Sequence, residues 1–146
     1  MDVIVVGVDG SRDSLAALRY ALREAQVSDA TVRVVNAWHV PALAYGVPAP
    51  LDDLSIELGE AAAETVRRAL ASEADVVDGI AVEETIREGD PGHVLVAEAE
   101  GARQLVVGSH GHGAVGELVL GSVSHYCCRH ARCPVTVIPH GCAETS

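Results

Sequence analysis

Val3-Ile4-Val5-Val6-Gly7-Val8 is apolar without interruption, and no other feature of the chain constrains its fold as strongly. A run this short, closed by the turn residues Asp9-Gly10-Ser11, has the form of a strand covered on both faces. Ser11 or Asp13 can cap a following helix, whose Leu15, Leu18, Leu22 and Ala25 share one face. Thr31 to Trp38 reads as a second strand. A loop marked by Pro and Gly runs from His39 to about Leu51, after which Leu54, Leu58, Ala61, Thr65 and Leu70 recur at helical spacing. Glu64 and Arg68 pair one turn apart on the wet side of that helix. Ile80, Val82 and Ile86 mark a third strand, interrupted by Glu83 and Glu84. Asp90-Pro91 is a helix start: a capping carboxylate, then a residue whose missing N–H does no harm there. Leu105-Val106-Val107 is a fourth buried strand, Gly121-Ser122 opens a last helix, and Val135-Thr136-Val137-Ile138 closes the pattern.

Five strands alternating with four helices, with no repeat or linker between them, predict the α/β class. The expectation is one doubly wound domain over residues 1–146. Its five-stranded, mainly parallel sheet runs in order 3-2-1-4-5, with helices on both faces. In that order strands one and four meet where the winding reverses, and ligands bind there, beyond the carboxyl ends of the strands. Asp9 and Gly108 stand at those ends.

The chain has 146 residues, 49% hydrophobic and 21% charged, enough for one domain with a sizeable core. Its opening apolar run is far too short to span a bilayer, and Met1-Asp2 lacks the basic region of a signal peptide, so a cytoplasmic location is expected. All ten basic side chains are arginines. The absence of lysine excludes a Walker-A loop, a pyridoxal Schiff base and the phosphate lysine of protein kinases. A net charge of −11 opposes general nucleic-acid binding. The charge is uneven: residues 1–100 hold nineteen carboxylates against seven arginines, residues 101–146 only two against three, with five of the seven histidines. An anion meets least repulsion in the last third.

That third holds Gly108-Ser109-His110-Gly111-His112-Gly113-Ala114-Val115-Gly116 and then Gly121-Ser122-Val123-Ser124. Glycines let a backbone approach phosphate closely, and the amides that open a helix at Ser122 can face an anion. Gly111 to Gly116 also fits G-x-G-x-x-G, the dinucleotide fingerprint. Here the pattern stands in the fourth βα unit, and the next strand ends at Ile138-Pro139-His140 without the carboxylate that would hold a ribose, which rules out a nicotinamide cofactor. His110-Gly111-His112-Gly113 is out of register with the H-x-G-H signature of nucleotidyltransferases and follows the wrong strand.

Gly108-x2-Gly111-x9-Gly121-Ser122 resembles the G-x2-G-x9-G-[ST] motif of the ATP-binding universal stress proteins. Val6 to Ser11, Gly89-Asp90-Pro91 and Arg129 to Val135 are similar to further segments of that family, so the resemblance runs from Val3 to Ile138. It implies a homodimeric stress-response regulator of the same five-stranded fold, with ATP at the point where the winding reverses. Carried over by position, Gly7, Val8 and Asp9 lie beside ribose and phosphates, with Asp9 near a Mg²⁺ or Mn²⁺ ion. Ala37 meets adenine through its backbone, Val107, Gly108 and Gly111 line the nucleotide, and Gly121, Ser122, Val123 and Ser124 contact phosphates or ribose. Many members carry arginine where this chain has His112, whose neutral imidazole attracts phosphate less. A nucleotide-free dimeric scaffold and a slow ATP-cleaving enzyme are the alternatives.

Other residues weigh toward plainer roles. His125, Cys128 and Cys133 do not form a zinc signature: no C-x2-C pair supports them, and His125 and Cys128 are expected on a core-facing helix. Cys127, Cys128, Cys133 and Cys142 read as free thiols. Trp38 is expected to pack near the adjoining loop. Ser109 and His110 are the one nucleophile–base candidate, yet adjacent residues rarely turn their side chains toward each other, so slow ATP hydrolysis at most is expected. Val135 to Ile138 carries no charge to protect an edge strand, which points to pairing across a two-fold axis.

Overall fold

A computed structural model describes residues 2–41, 51–111 and 120–141, and the side chain of residue 51 is not among what it describes. The elements run in the order β1 (Val3–Gly7), α1 (Arg12–Ser28), β2 (Thr31–Trp38), α2 (Leu51–Ser72), α3 (Ala74–Val77), β3 (Val82–Glu88), α4 (Pro91–Glu98), β4 (Gln104–Gly108), α5 (Ser122–His130) and β5 (Val135–Ile138). All four strand pairings are parallel, and the sheet order is β3-β2-β1-β4-β5, as the alternation predicts.

Successive strand residues point to opposite faces, and each face has its own core. Ile4 and Val6 of β1 join Leu18 and Leu22 of α1, Val66 of α2, Val32, Val34 and Val106 on one side. Val5 joins Val35, Leu105, Val107, Val94 and Leu95 of α4, and Cys127 of α5 on the other. The three inner strands are mainly apolar because they are covered twice, whereas the β3 edge keeps Glu83, Glu84 and Arg87 at its surface.

Three local expectations need correction. Among the described residues five helices form where four were expected, because Ala74–Val77 makes a single extra turn. Its sequence carries no cap signal, since the Glu73 side chain is held by Arg19 at 2.8 Å instead of closing the helix. The buried residues of α2 are Ala62, Val66 and Ala69; of the expected face Leu70 packs against the core, Leu54, Leu58 and Thr65 are half-buried, and Ala61 is exposed. Three consecutive alanines at 61–63 offer no contrast from which to read the phase. Finally, His125 and Cys128 lie on the exposed side of α5, and Cys127 and Ser124 face the core.

Trp38 packs beside α2, where a Cβ on Gly59 would stand 3.4 Å from its ring. Glu64 pairs with Arg68 at 3.1 Å and also with Arg67 at 2.6 Å, all at the exposed surface. His112 and the rest of residues 112–119, the loop at 42–50, and Cys142 fall outside the described residues.

Candidate functional site

The register that pairs Val6 with Val106 sets the ends of β1 and β4 side by side, and the chain leaves them in opposite directions. A cavity of about 450 Å³ opens there. Small-molecule sites run from roughly 300 to 1,000 Å³, so this space admits a ligand of nucleotide size.

All eleven residues named from the sequence line this cavity. Gly7, Val8 and Asp9 come from the end of β1, Ala37 from the end of β2, and Val107, Gly108 and Gly111 from β4 and the segment after it. Gly121, Ser122, Val123 and Ser124 form the start of α5. Sequence reasoning missed Ser11, Ser14, Val35, Asn36, Pro91, Leu95, His110 and Leu120. Asn36 carried a signal, being a polar residue that follows the apolar pair Val34-Val35, and it is buried at 7% exposure. Leu95 carried none, since only the packing of α4 across Gly7 brings it to the wall.

Three helices begin around this space, and they begin differently. Ser11 caps α1, its hydroxyl accepting the Ser14 N–H at 3.3 Å, and Asp9 Oδ1 accepts the Ser11 N–H at 2.9 Å. Asp90 caps α4, accepting the His93 N–H at 3.2 Å, with Pro91 in the first helical position. The cap of α5 is Gly121 and not Ser122, and glycine has no side chain with which to close the helix. The amides of Ser122, Val123 and Ser124 therefore open onto the cavity, with the positive end of the helix behind them. The Ser124 hydroxyl is turned inward to the carbonyls of Ser109 and Gly121, at 2.9 and 3.1 Å, and fixes this helix start to the end of β4.

The glycines of the motif are required by close approach, not by unusual torsions, as none of Gly108, Gly111 and Gly121 has a positive φ. A Cβ on Gly108 would stand 2.7 Å from the backbone carbon of Asp13, and one on Gly111 would meet Asp9 Oδ2 at the same distance. Asp9 thus lies across the mouth of the cavity, both forming the turn and facing the glycine segment. It is the one carboxylate among the described lining residues, which include no arginine. Leu95, Val35 and Val107 supply an apolar wall.

Ser109 and His110 do face each other, contrary to expectation, with Ser109 Oγ 3.0 Å from His110 Nδ1. Ser109 is buried, and its hydroxyl also donates to Asp13 Oδ2 at 3.2 Å, so the contact is part of a polar cluster beneath the loop. Of the described cysteines, burial pushes the Cys127 thiol up to about 12 and raises Cys133 above its usual range.

Among the described residues, no helix is long and apolar enough to cross a membrane. The sequence model of the universal stress protein family matches residues 1–139. A universal stress protein of Mycolicibacterium smegmatis is 34% identical over 145 residues, which cover 94% of this chain and 48% of that protein. The chain thus spans about half the length of that relative. The universal stress protein UspA from Lactobacillus plantarum superposes with a TM-score of 0.79 at 28% identity, over 94% of this chain and 97% of that one. A universal stress protein in complex with cAMP gives a TM-score of 0.67 at 28% identity, over 94% and 95% of the two chains.

Proposed function

The chain belongs to the universal stress protein family, and on that premise we propose that it binds an adenine nucleotide between β1 and β4 as a cytoplasmic stress-response regulator. The observation that carries this reading is the α5 start, left open by Gly121 onto a cavity of about 450 Å³. Phosphates are drawn to such a start by its free amides and its dipole. The base belongs at the opposite end, against Leu95, Val35 and the backbone of Ala37. The neighbour that holds cAMP supports the adenine assignment.

ATP is the member of that class we assign. With no arginine among the described lining residues, its triphosphate charge falls to the helix start and to a divalent ion. The donor set suits Mg²⁺ or Mn²⁺, which are held by one carboxylate together with phosphate and water oxygens. Asp9 is that carboxylate, and the ion shields the phosphates from it.

The strand β5, Val135 to Ile138, is half-buried over three of its four residues and forms one edge of the sheet. Pairing with a second copy through that strand makes the homodimer, and α5 leads directly from the nucleotide to it. The regulatory reading is that nucleotide occupancy is relayed along α5 to the dimer edge.

Calorimetric titration of the nucleotide-stripped chain with Mg-ATP, Mg-AMP and cAMP tests this. Saturable binding that ranks ATP first supports the assignment, binding of AMP or cAMP alone corrects the phosphate count, and no heat with any of them overturns it.

A further inference from the structure

Beneath the glycine segment, three side chains converge from three places in the chain. Asp13 lies in the first turn of α1, His110 comes after β4, and His140 comes after β5. The Asp13 carboxylate is 3% exposed, the His110 ring 14% and the His140 ring 60%. His140 Nδ1 stands 2.9 Å from Asp13 Oδ1, and His110 Nδ1 stands 3.6 Å from Asp13 Oδ2. One donor atom from each residue lies within 4.8 Å of the other two.

We propose that Asp13, His110 and His140 form a binding site for a divalent transition metal of the zinc class. Two imidazoles and one carboxylate are the donor set that zinc, cobalt and nickel favour over magnesium, which takes oxygen ligands. Metal–ligand bonds of about 2.0–2.2 Å in a tetrahedral arrangement put neighbouring donors roughly 3.3–3.6 Å apart. The two imidazole–carboxylate separations, 2.9 Å to Oδ1 and 3.6 Å to Oδ2, lie near that spacing but run to different oxygens, so a shift of the exposed His140 ring brings both imidazoles to one carboxylate oxygen. The fourth position then faces solvent beside His140.

The carboxylate is already held in place for this task. Ser109 Oγ and the His110 N–H both donate to Asp13 Oδ2, each at 3.2 Å, which fixes its orientation as outer hydrogen bonds do around protein metals. A cation also answers the charge problem, because a buried carboxylate is costly without an opposite charge and no arginine pairs with Asp13 among the described residues. The site is separate from Asp9, which lies on the cavity side of Gly111. Metal here ties the segment after β5 to α1 and to the β4 loop. His110 also lines the cavity, so a bound metal fixes one of its walls.

The test uses the untagged, nucleotide-free full chain, titrated with zinc alone by calorimetry and with cobalt(II) by visible absorption. The expected result is one strong equivalent of zinc, a tetrahedral cobalt spectrum, and no displacement by excess Mg²⁺. His140→Gln, at an exposed position that leaves the core intact, should weaken zinc at least tenfold, and Asp13→Asn should do the same if it folds. No saturable zinc binding overturns the proposal. Zinc binding that His140→Gln leaves unchanged overturns it equally, since the metal then sits on the surface histidines or thiols. Because nucleotide is absent throughout, failure of the adenine assignment leaves this result unaffected.

Discussion

The helices α1 and α5 both begin at the junction of β1 and β4, yet only one is closed by its own sequence. At α1, Asp9, Ser11 and Ser14 form a closed set of turn and cap hydrogen bonds. At α5, Gly121 leaves the first amides without a side-chain partner from the cap position. An N-cap of Ser or Asp in place of Ala is worth about 1 kcal/mol, whereas Gly at that position costs only a few tenths. The missing cap therefore costs the fold little, and it keeps hydrogen-bond donors available to an anion at one end of the cavity. On the proposed reading, stability and binding fall to neighbouring helix starts of opposite design.

The largest effect should come from forcing these starts apart. Gly108→Ala places a Cβ 2.7 Å from the Asp13 backbone, which cannot yield without moving α1. A loss of about 2 kcal/mol or more is expected in urea unfolding. Gly121→Asp makes α5 resemble α1, with a carboxylate where phosphates are assigned. Mg-ATP affinity should fall tenfold or more, about 1.4 kcal/mol, by calorimetry. Stability should change by less than about 1 kcal/mol, as the new cap offsets a Cβ lying 3.3 Å from the Ser109 carbonyl oxygen.

Ser11→Ala is the converse test. It removes the α1 cap and should cost about 1 kcal/mol in unfolding, while nucleotide affinity, although Ser11 lines the cavity, should fall less than in Gly121→Asp. Equal losses of stability and affinity would erase the distinction between the two starts. At α4, the hydrogen bond from His93 holds the Asp90 carboxyl below its ordinary 3.8. A lowered folded value means that its contribution is complete above the unfolded value and is lost as the pH falls through the folded one. The stability difference between wild type and Asp90→Asn should thus be flat above about pH 5 and shrink below about pH 4, by unfolding at stepped pH. The smallest effect concerns α5 alone: iodoacetamide at about pH 8 should label the exposed Cys128 and spare Cys127, whose buried thiol is pushed up to about 12. Equal labelling, read by mass spectrometry, would mean that α5 does not bury the face described.

Much of this comparison was legible in residue order. The apolar runs at Val3–Val8 and Leu105–Val107 marked the two central strands because both of their faces are covered. The Asp90-Pro91 start and the glycine spacing carried over directly into structure. The phase of α2 was only partly legible, since small residues at 61–63 hide which side is inward. Nor was the Asp13 cluster, whose members stand 97 and 127 positions apart and meet only once the sheet is wound. Asp13 reads as a helix-start acid, and nothing local shows that it turns inward beneath Ser109.

The most direct test of nucleotide binding at the open helix start is amide chemical-shift mapping of the chain as Mg-ATP is added. The largest changes are expected at Gly7–Asp9, Gly108–Gly111 and Ser122–Ser124, with the capped residues Ser11–Ser14 moving less and β3 unmoved. Saturable shifts that leave Ser122–Ser124 in place, or that centre on another face of the sheet, would contradict it.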